Sequence, residues 1–173
     1  MISIIAVAWS HKMQYRNIKK NNNMMNIERQ AEILNDLVKI NNDRVEGYRK
    51  AIEELKPEDA DLRILFQERI GQSQAFHREL AAEVAMLGEV VATGTMASGK
   101  IYRTWMDVKA FFSGSDRKTI LDNCENGEDA ALVAYRSALE SDDLIPSQRD
   151  ILLNHFDVIK VSHDEIRALR DVL

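Results

Sequence analysis

Apolar positions recur every three or four residues through most of this chain, and the breaks in that rhythm divide it into four long helical segments. From Ile27 to Leu55, the residues Leu34, Val38, Val45, Tyr48, Ile52 and Leu55 fall on one helical face, and Pro57 stops the run. Asp59 or Asp61 then offers a cap for a second helix in which Leu62, Phe66, Phe76, Leu80, Val84 and Leu87 share a face, ending at Gly88. Gly88 to Gly99 reads as a loop of Gly, Thr and Ser. Ser98 is placed to cap a shorter helix with Ile101, Trp105 and Val108 inward, closed by Ser113-Gly114-Ser115. A third long helix from about Asp116 to Glu140 turns Ile120, Cys124, Ala131, Tyr135 and Ala138 inward. A fourth runs from Ser147, just after Pro146, to the C-terminus with Ile151, Ile159, Ile166 and Leu169 inward. Short turns join first to second and third to fourth, giving antiparallel hairpins. The roughly 28-residue link between them is long enough to return along the bundle. The expected architecture is all-α, an antiparallel four-helix bundle with one long crossover containing a short extra helix.

Composition agrees with that class and narrows the partners. With 173 residues and 45% hydrophobic content, the chain can bury one core, and seven Gly with two Pro suit long helices. The net charge is -5, and four of the 23 Lys and Arg but none of the 28 Asp and Glu fall in residues 1–25. The remainder is strongly acidic, which argues against nucleic acid or an anionic membrane as partner and leaves a homodimer open. Cys124 is the single cysteine, so no internal disulfide forms, and a reducing cytoplasm suits the chain. Met1 to Ser10 is apolar over only about eight or nine residues, too short to span a bilayer. His11 to Asn26 is rich in Lys and Asn and contains Met24-Met25. Residues 1–26 are therefore expected to be a disordered extension, or to follow from a start codon placed too early, ahead of a bundle domain over 27–173.

A buried polar side chain without a partner costs about 1 to 3 kcal/mol, so polar residues on the apolar faces matter. Asn41 stands seven residues before Tyr48, and Glu128 seven before Tyr135. Gln74-x-x-His77 follows one hairpin later in the first pair, and Lys160-x-x-His163 in the second, an arrangement that reads as an internal duplication. A Glu seven before a Tyr, then a Glu-x-x-His one hairpin later, twice over, resembles the ferritin-like di-iron carboxylate bundles. The closer resemblance, over about Leu34 to Asp171, is to an uncharacterised bacterial ferritin-like family. It is carried by Leu34-Asn35-Asp36-Leu37, Asn41-Asn42-Asp43-Arg44-Val45-Glu46-Gly47-Tyr48, Ala97-Ser98-Gly99-Lys100-Ile101-Tyr102, Cys124-Glu125-x-Gly127-Glu128-Asp129 and Ser162-His163-Asp164. The resemblance implies a rubrerythrin-related fold with no established activity.

By that resemblance, the metal-bridging carboxylates fall at Gln74 and Lys160, and a further acidic ligand at Asn41. Three of four acidic ligands are missing, and an intact di-iron centre is not expected. Glu128, His77 and His163 remain, the residue types of a two-His-one-carboxylate site for one iron, manganese or zinc ion. The plainer alternative pairs Lys160 with Glu128 across the core and leaves the histidines neutral. His155, nearer the centre of its helix's stripe than His163, competes as a ligand. Gly94-x-x-x-x-Gly99-Lys100 nearly spells a phosphate loop but has Ile101 where Ser or Thr would hold magnesium, and no strand before it. Cys124 reads as a packed thiol, Tyr48 and Tyr135 as inward tyrosines bonded to core polar groups, with redox activity beside a metal as the alternative, and Tyr102, Trp105, Phe111 and Phe112 as the cover of one bundle end or a dimer face. The reading preferred is a non-catalytic or weakly metal-binding bundle with a stress or housekeeping role, with no catalytic or cofactor residues assigned. The competing readings are a mononuclear metal-dependent oxidase or peroxide-consuming protein, and a dimerising interaction module.

Overall fold

In a computed structural model, the backbone is described for residues 2–96 and 116–173, and the side chains for 24–96 and 116–173. Four helices make up the described structure: α1 (Ile2–Glu54), α2 (Ala60–Met86), α3 (Arg117–Leu139) and α4 (Pro146–Asp171), with no strand among the described residues. The short crossover helix expected around Ile101, Trp105 and Val108 lies outside them. α1 packs along α2 and α3 along α4, and the two hairpins join chiefly where α1 meets α3. No helix among the described residues is long and apolar enough to cross a membrane.

The helix ends follow local chemistry. Asp116 caps α3, its carboxylate accepting from the Thr119 backbone N–H at 3.0 Å. Pro146 opens α4, where its missing N–H costs nothing. Gly88 ends α2 with a left-handed φ of 78°, its N–H bonding Ala85 O and that of Glu89 bonding Val84 O. Arg149 reaches back to the carbonyls of Leu139 and Ser141, which the end of α3 leaves without partners. Asp59 sits at the cap position of α2 but makes no capping bond there; it pairs with Arg117 at 2.8 Å and so ties the first hairpin to the start of α3.

Helix α1 begins at Ile2 and runs through residues 2–26, which contain neither Gly nor Pro. One expectation changes. In α4 the buried row is Leu152, His155, Ile159, Ser162 and Ile166, with Ile151 and Leu169 only half-buried. Ile151 and Leu152 are adjacent and equally apolar. A helical face accepts steps of seven or eight residues to Ile159, so the pattern alone could not choose between them.

The interior divides into two apolar clusters. One gathers Leu34, Leu37, Ile40, Phe76, Leu80, Ala131, Tyr135, Leu152 and Ile159; the other Tyr48, Leu55, Leu62, Phe66, Ile120, Cys124 and Ile166. Between them on every helix lies a buried polar residue: Asn41 and Arg44 on α1, Ser73 on α2, Glu128 on α3 and Ser162 on α4. A polar layer thus crosses the middle of the bundle.

Candidate functional site

The layer is built around Arg44 and Glu128, whose side chains are each only 1% exposed. Arg44 Nη2 donates to Glu128 Oε1 at 2.7 Å and lies 2.9 Å from Oε2, so one nitrogen spans both carboxylate oxygens. Tyr48, one helical turn beyond Arg44, donates its hydroxyl to the same Oε1. From α2, Ser73 Oγ accepts from Arg44 Nη1 at 3.0 Å and Gln72 Oε1 from Nη2 at 3.1 Å. Ser162 of α4 completes the ring, its Oγ 3.1 Å from Gln72 Oε1. Burial opposes the Arg44 charge, but the Glu128 carboxylate beside it outweighs that and raises its pKa above the ordinary value. Burial, reinforced by the same carboxylate, pushes both the Tyr48 phenol and the Cys124 thiol well up, which disfavours the thiolate.

A second row of hydrogen bonds lies next to the first. Asn41 Nδ2 donates to Leu37 O and to the Tyr135 hydroxyl, both at 2.8 Å. The Tyr135 hydroxyl lies 3.2 Å from His155 Nδ1, and His155 Nε2 lies 2.9 Å from Glu79 Oε2. The fully buried imidazole stacks on Phe76 with ring centroids 3.9 Å apart. Burial lowers its pKa below the usual histidine value, against the opposing hydrogen bond that the ring makes to Glu79.

A helical bundle with this polar layer can be set beside known proteins. The family described as Domain of unknown function (DUF2383) matches residues 29–141, well over half of the chain. The chain belongs to that family. No curated protein matches it. Two solved structures share the fold. A mutant of Dps1 from Mycobacterium smegmatis has TM-score 0.67 and 13% identity. A ferritin-like, diiron-carboxylate protein from Bacillus anthracis has TM-score 0.63 and 15% identity. Each alignment covers 84% of this chain and 97% of the other. The fold is therefore a ferritin-like helical bundle.

Within this DUF2383 bundle, the residues singled out in the sequence have separate surroundings. Glu128 lies in the layer. His77 is half-buried with Nδ1 2.8 Å from Asn42 Oδ1. His163, with its side chain 12% exposed, holds Nε2 3.1 Å from Asp129 Oδ1 and Nδ1 3.0 Å from Asp164 Oδ1. Gln74 is exposed, and Lys160 is 57% exposed and bonds Asp164 at 2.7 Å. The expected Lys160–Glu128 pair does not form: Arg44 is the cation on Glu128. The inward positions of α2 are Ser73 and Phe76, one residue before Gln74 and His77, and on α4 His155 rather than His163 is fully buried.

As placed, the residues do not fit a metal. Glu128 already binds a guanidinium, a second cation there meets Arg44 at close range, and the two histidines bond elsewhere. Among the described residues no group of three or more His, Cys, Asp or Glu side chains is arranged to hold a metal ion.

The Asn-rich segment of α1 has a different task. Asn35 donates to Val90 O at 2.9 Å and accepts from Ala92 N–H at 2.7 Å; Asn42 donates to Gly94 O at 2.6 Å; Asp43 accepts from Met96 N–H at 3.1 Å. These side chains strap the start of the crossover to α1. Gly99 and Lys100, with the aromatic run Tyr102, Trp105, Phe111 and Phe112, lie outside the described residues. Sequence reasoning missed Arg44 and the strap, although three polar residues in a row, Asn41-Asn42-Asp43, are costly in a helix without tertiary partners and so were a signal.

Proposed function

We propose that this chain is a non-catalytic ferritin-like bundle in which a cation of its own, the Arg44 guanidinium, takes the interior place that a metal ion would need. The observation carrying the reading is the fully buried contact of Arg44 Nη2 with both Glu128 oxygens, at 2.7 and 2.9 Å, supported by Tyr48, Gln72 and Ser73. A guanidinium is charged at every physiological pH and has no redox states or open coordination positions, so the layer holds the four helices together but offers no centre for oxygen or peroxide chemistry. One of its fold neighbours is named a diiron-carboxylate protein. Here Glu128 is the one fully buried carboxylate of the polar layer and is neutralised from within the chain. The role that follows is structural or interactive, in a housekeeping or stress setting. Metal content by plasma mass spectrometry tests it, on untagged protein loaded separately with ferrous iron, manganese and zinc. The reading expects no stoichiometric metal in wild type. One bound ion per chain, lost in Glu128→Ala, overturns it in favour of a mononuclear metal enzyme.

A further inference from the structure

Tyr135, His155 and Glu79 form a row of hydrogen bonds that runs from the interior to the surface. Glu79, with its side chain 53% exposed, accepts from His155 Nε2, so that nitrogen carries the hydrogen. The ring is held neutral by burial, which leaves Nδ1 a bare acceptor facing the Tyr135 hydroxyl. Tyr135 donates to it, and its oxygen accepts from Asn41 Nδ2. Burial pushes the Tyr135 phenol well above its ordinary pKa, so the phenolate is closed to it. Loss of one electron makes a phenol strongly acidic, and the proton then has a base waiting 3.2 Å away.

We propose that Tyr135 is a one-electron donor site, reacting with one-electron oxidants such as peroxide-derived radicals, with His155 as the proton acceptor and Glu79 as the outlet to solvent. In the step, Tyr135 gives one electron to the oxidant, which is reduced. Its O–H bond breaks, a bond forms from the proton to His155 Nδ1, and the Nε2 proton leaves through Glu79. A neutral tyrosyl radical and a neutral imidazole with its hydrogen on Nδ1 remain. Tyr48 lacks this outlet, since its hydroxyl faces Glu128, which is buried and held by Arg44. The proposal is independent of whether the layer binds metal.

The test uses the full chain carrying Tyr15→Phe and Tyr102→Phe, so that Tyr48 and Tyr135 are the remaining tyrosines. It is oxidised by flash-generated ruthenium(III) tris-bipyridine with persulfate and read by electron paramagnetic resonance. The parent gives a persistent tyrosyl signal that is lost with Tyr135→Phe and kept with Tyr48→Phe. His155→Gln slows its formation on the order of a hundredfold, the scale of a positioned proton acceptor. Glu79→Gln, a surface change that leaves folding intact, slows it severalfold even if His155→Gln fails to fold. No tyrosyl signal in the parent, a signal surviving Tyr135→Phe, or an unchanged rate in Glu79→Gln overturns the proposal.

Discussion

Arg44 and Glu128 each carry charge into a region closed to water, and each is tolerable only because of the other. Removing one partner strands the other, a loss of about 3 to 5 kcal/mol for a buried ion pair, whereas replacing both with apolar groups of similar volume is close to neutral. Urea unfolding should therefore show Glu128→Ala and Arg44→Ala destabilised by about that amount, with Arg44→Met/Glu128→Leu recovering most of it. Losses that simply add would mean that the pair is not coupled. His155 makes a prediction of opposite character. Burial lowers its folded pKa, so below the unfolded value of about 6.5 the unfolded chain binds a proton that the folded chain does not. Stability should fall as pH drops through 6.5 toward the folded value, and His155→Gln should flatten that part of the profile. Glu79 on α2, Tyr135 on α3 and the Arg44 charge on α1 all face the ring, and they stay in place in that variant. An equal slope in wild type and variant would assign the pH dependence to other groups.

Among the elements, the crossover strap is open to a direct test. Asn35 makes two hydrogen bonds to the segment Val90–Ala92, each worth about 0.5 to 1.5 kcal/mol. Asn35→Ala should raise amide exchange in residues 90–96 about tenfold while leaving α3 and α4 unaffected, since 1.4 kcal/mol is a factor of ten in local opening. Uniform acceleration along the chain would mean that the strap belongs to the global core. The same elements show what the sequence could and could not convey. The number and order of the four long helices and most of their ends were legible, because Pro57, Gly88, Asp116 and Pro146 are strong local signals. Asn41, Tyr48, Glu128 and Tyr135 were correctly placed on inward faces. The polar motifs were not legible to the residue: Gln74-x-x-His77 and Lys160-x-x-His163 lie one step away from the inward Ser73, Phe76, Ile159 and Ser162. Arg44 was passed over because a charged residue in a charged segment reads as surface, although it lies three after Asn41 and four before Tyr48 on the same face.

For the whole molecule, the polar layer joins parts that apolar packing leaves separate. It lies between two hydrophobic clusters and draws a side chain from each described helix, and its buried Arg44–Glu128 pair joins the hairpins together with the outer pairs Asp59–Arg117 and Arg69–Glu165. Helix α1, with 53 residues and a length of about 80 Å at 1.5 Å per residue, is twice as long as α2. Among its described side chains, the buried apolar positions start at Ala31. If the bundle is closed by its own guanidinium, its folding owes nothing to an added cation. Thermal unfolding of chelator-treated protein, titrated with ferrous iron, manganese or zinc, measures that directly, since an ion that binds only the folded chain adds about 2.7 kcal/mol at a hundredfold excess over its Kd. The melting temperature should stay the same throughout each titration. A rise that saturates at one ion per chain and disappears in Glu128→Ala would contradict the account.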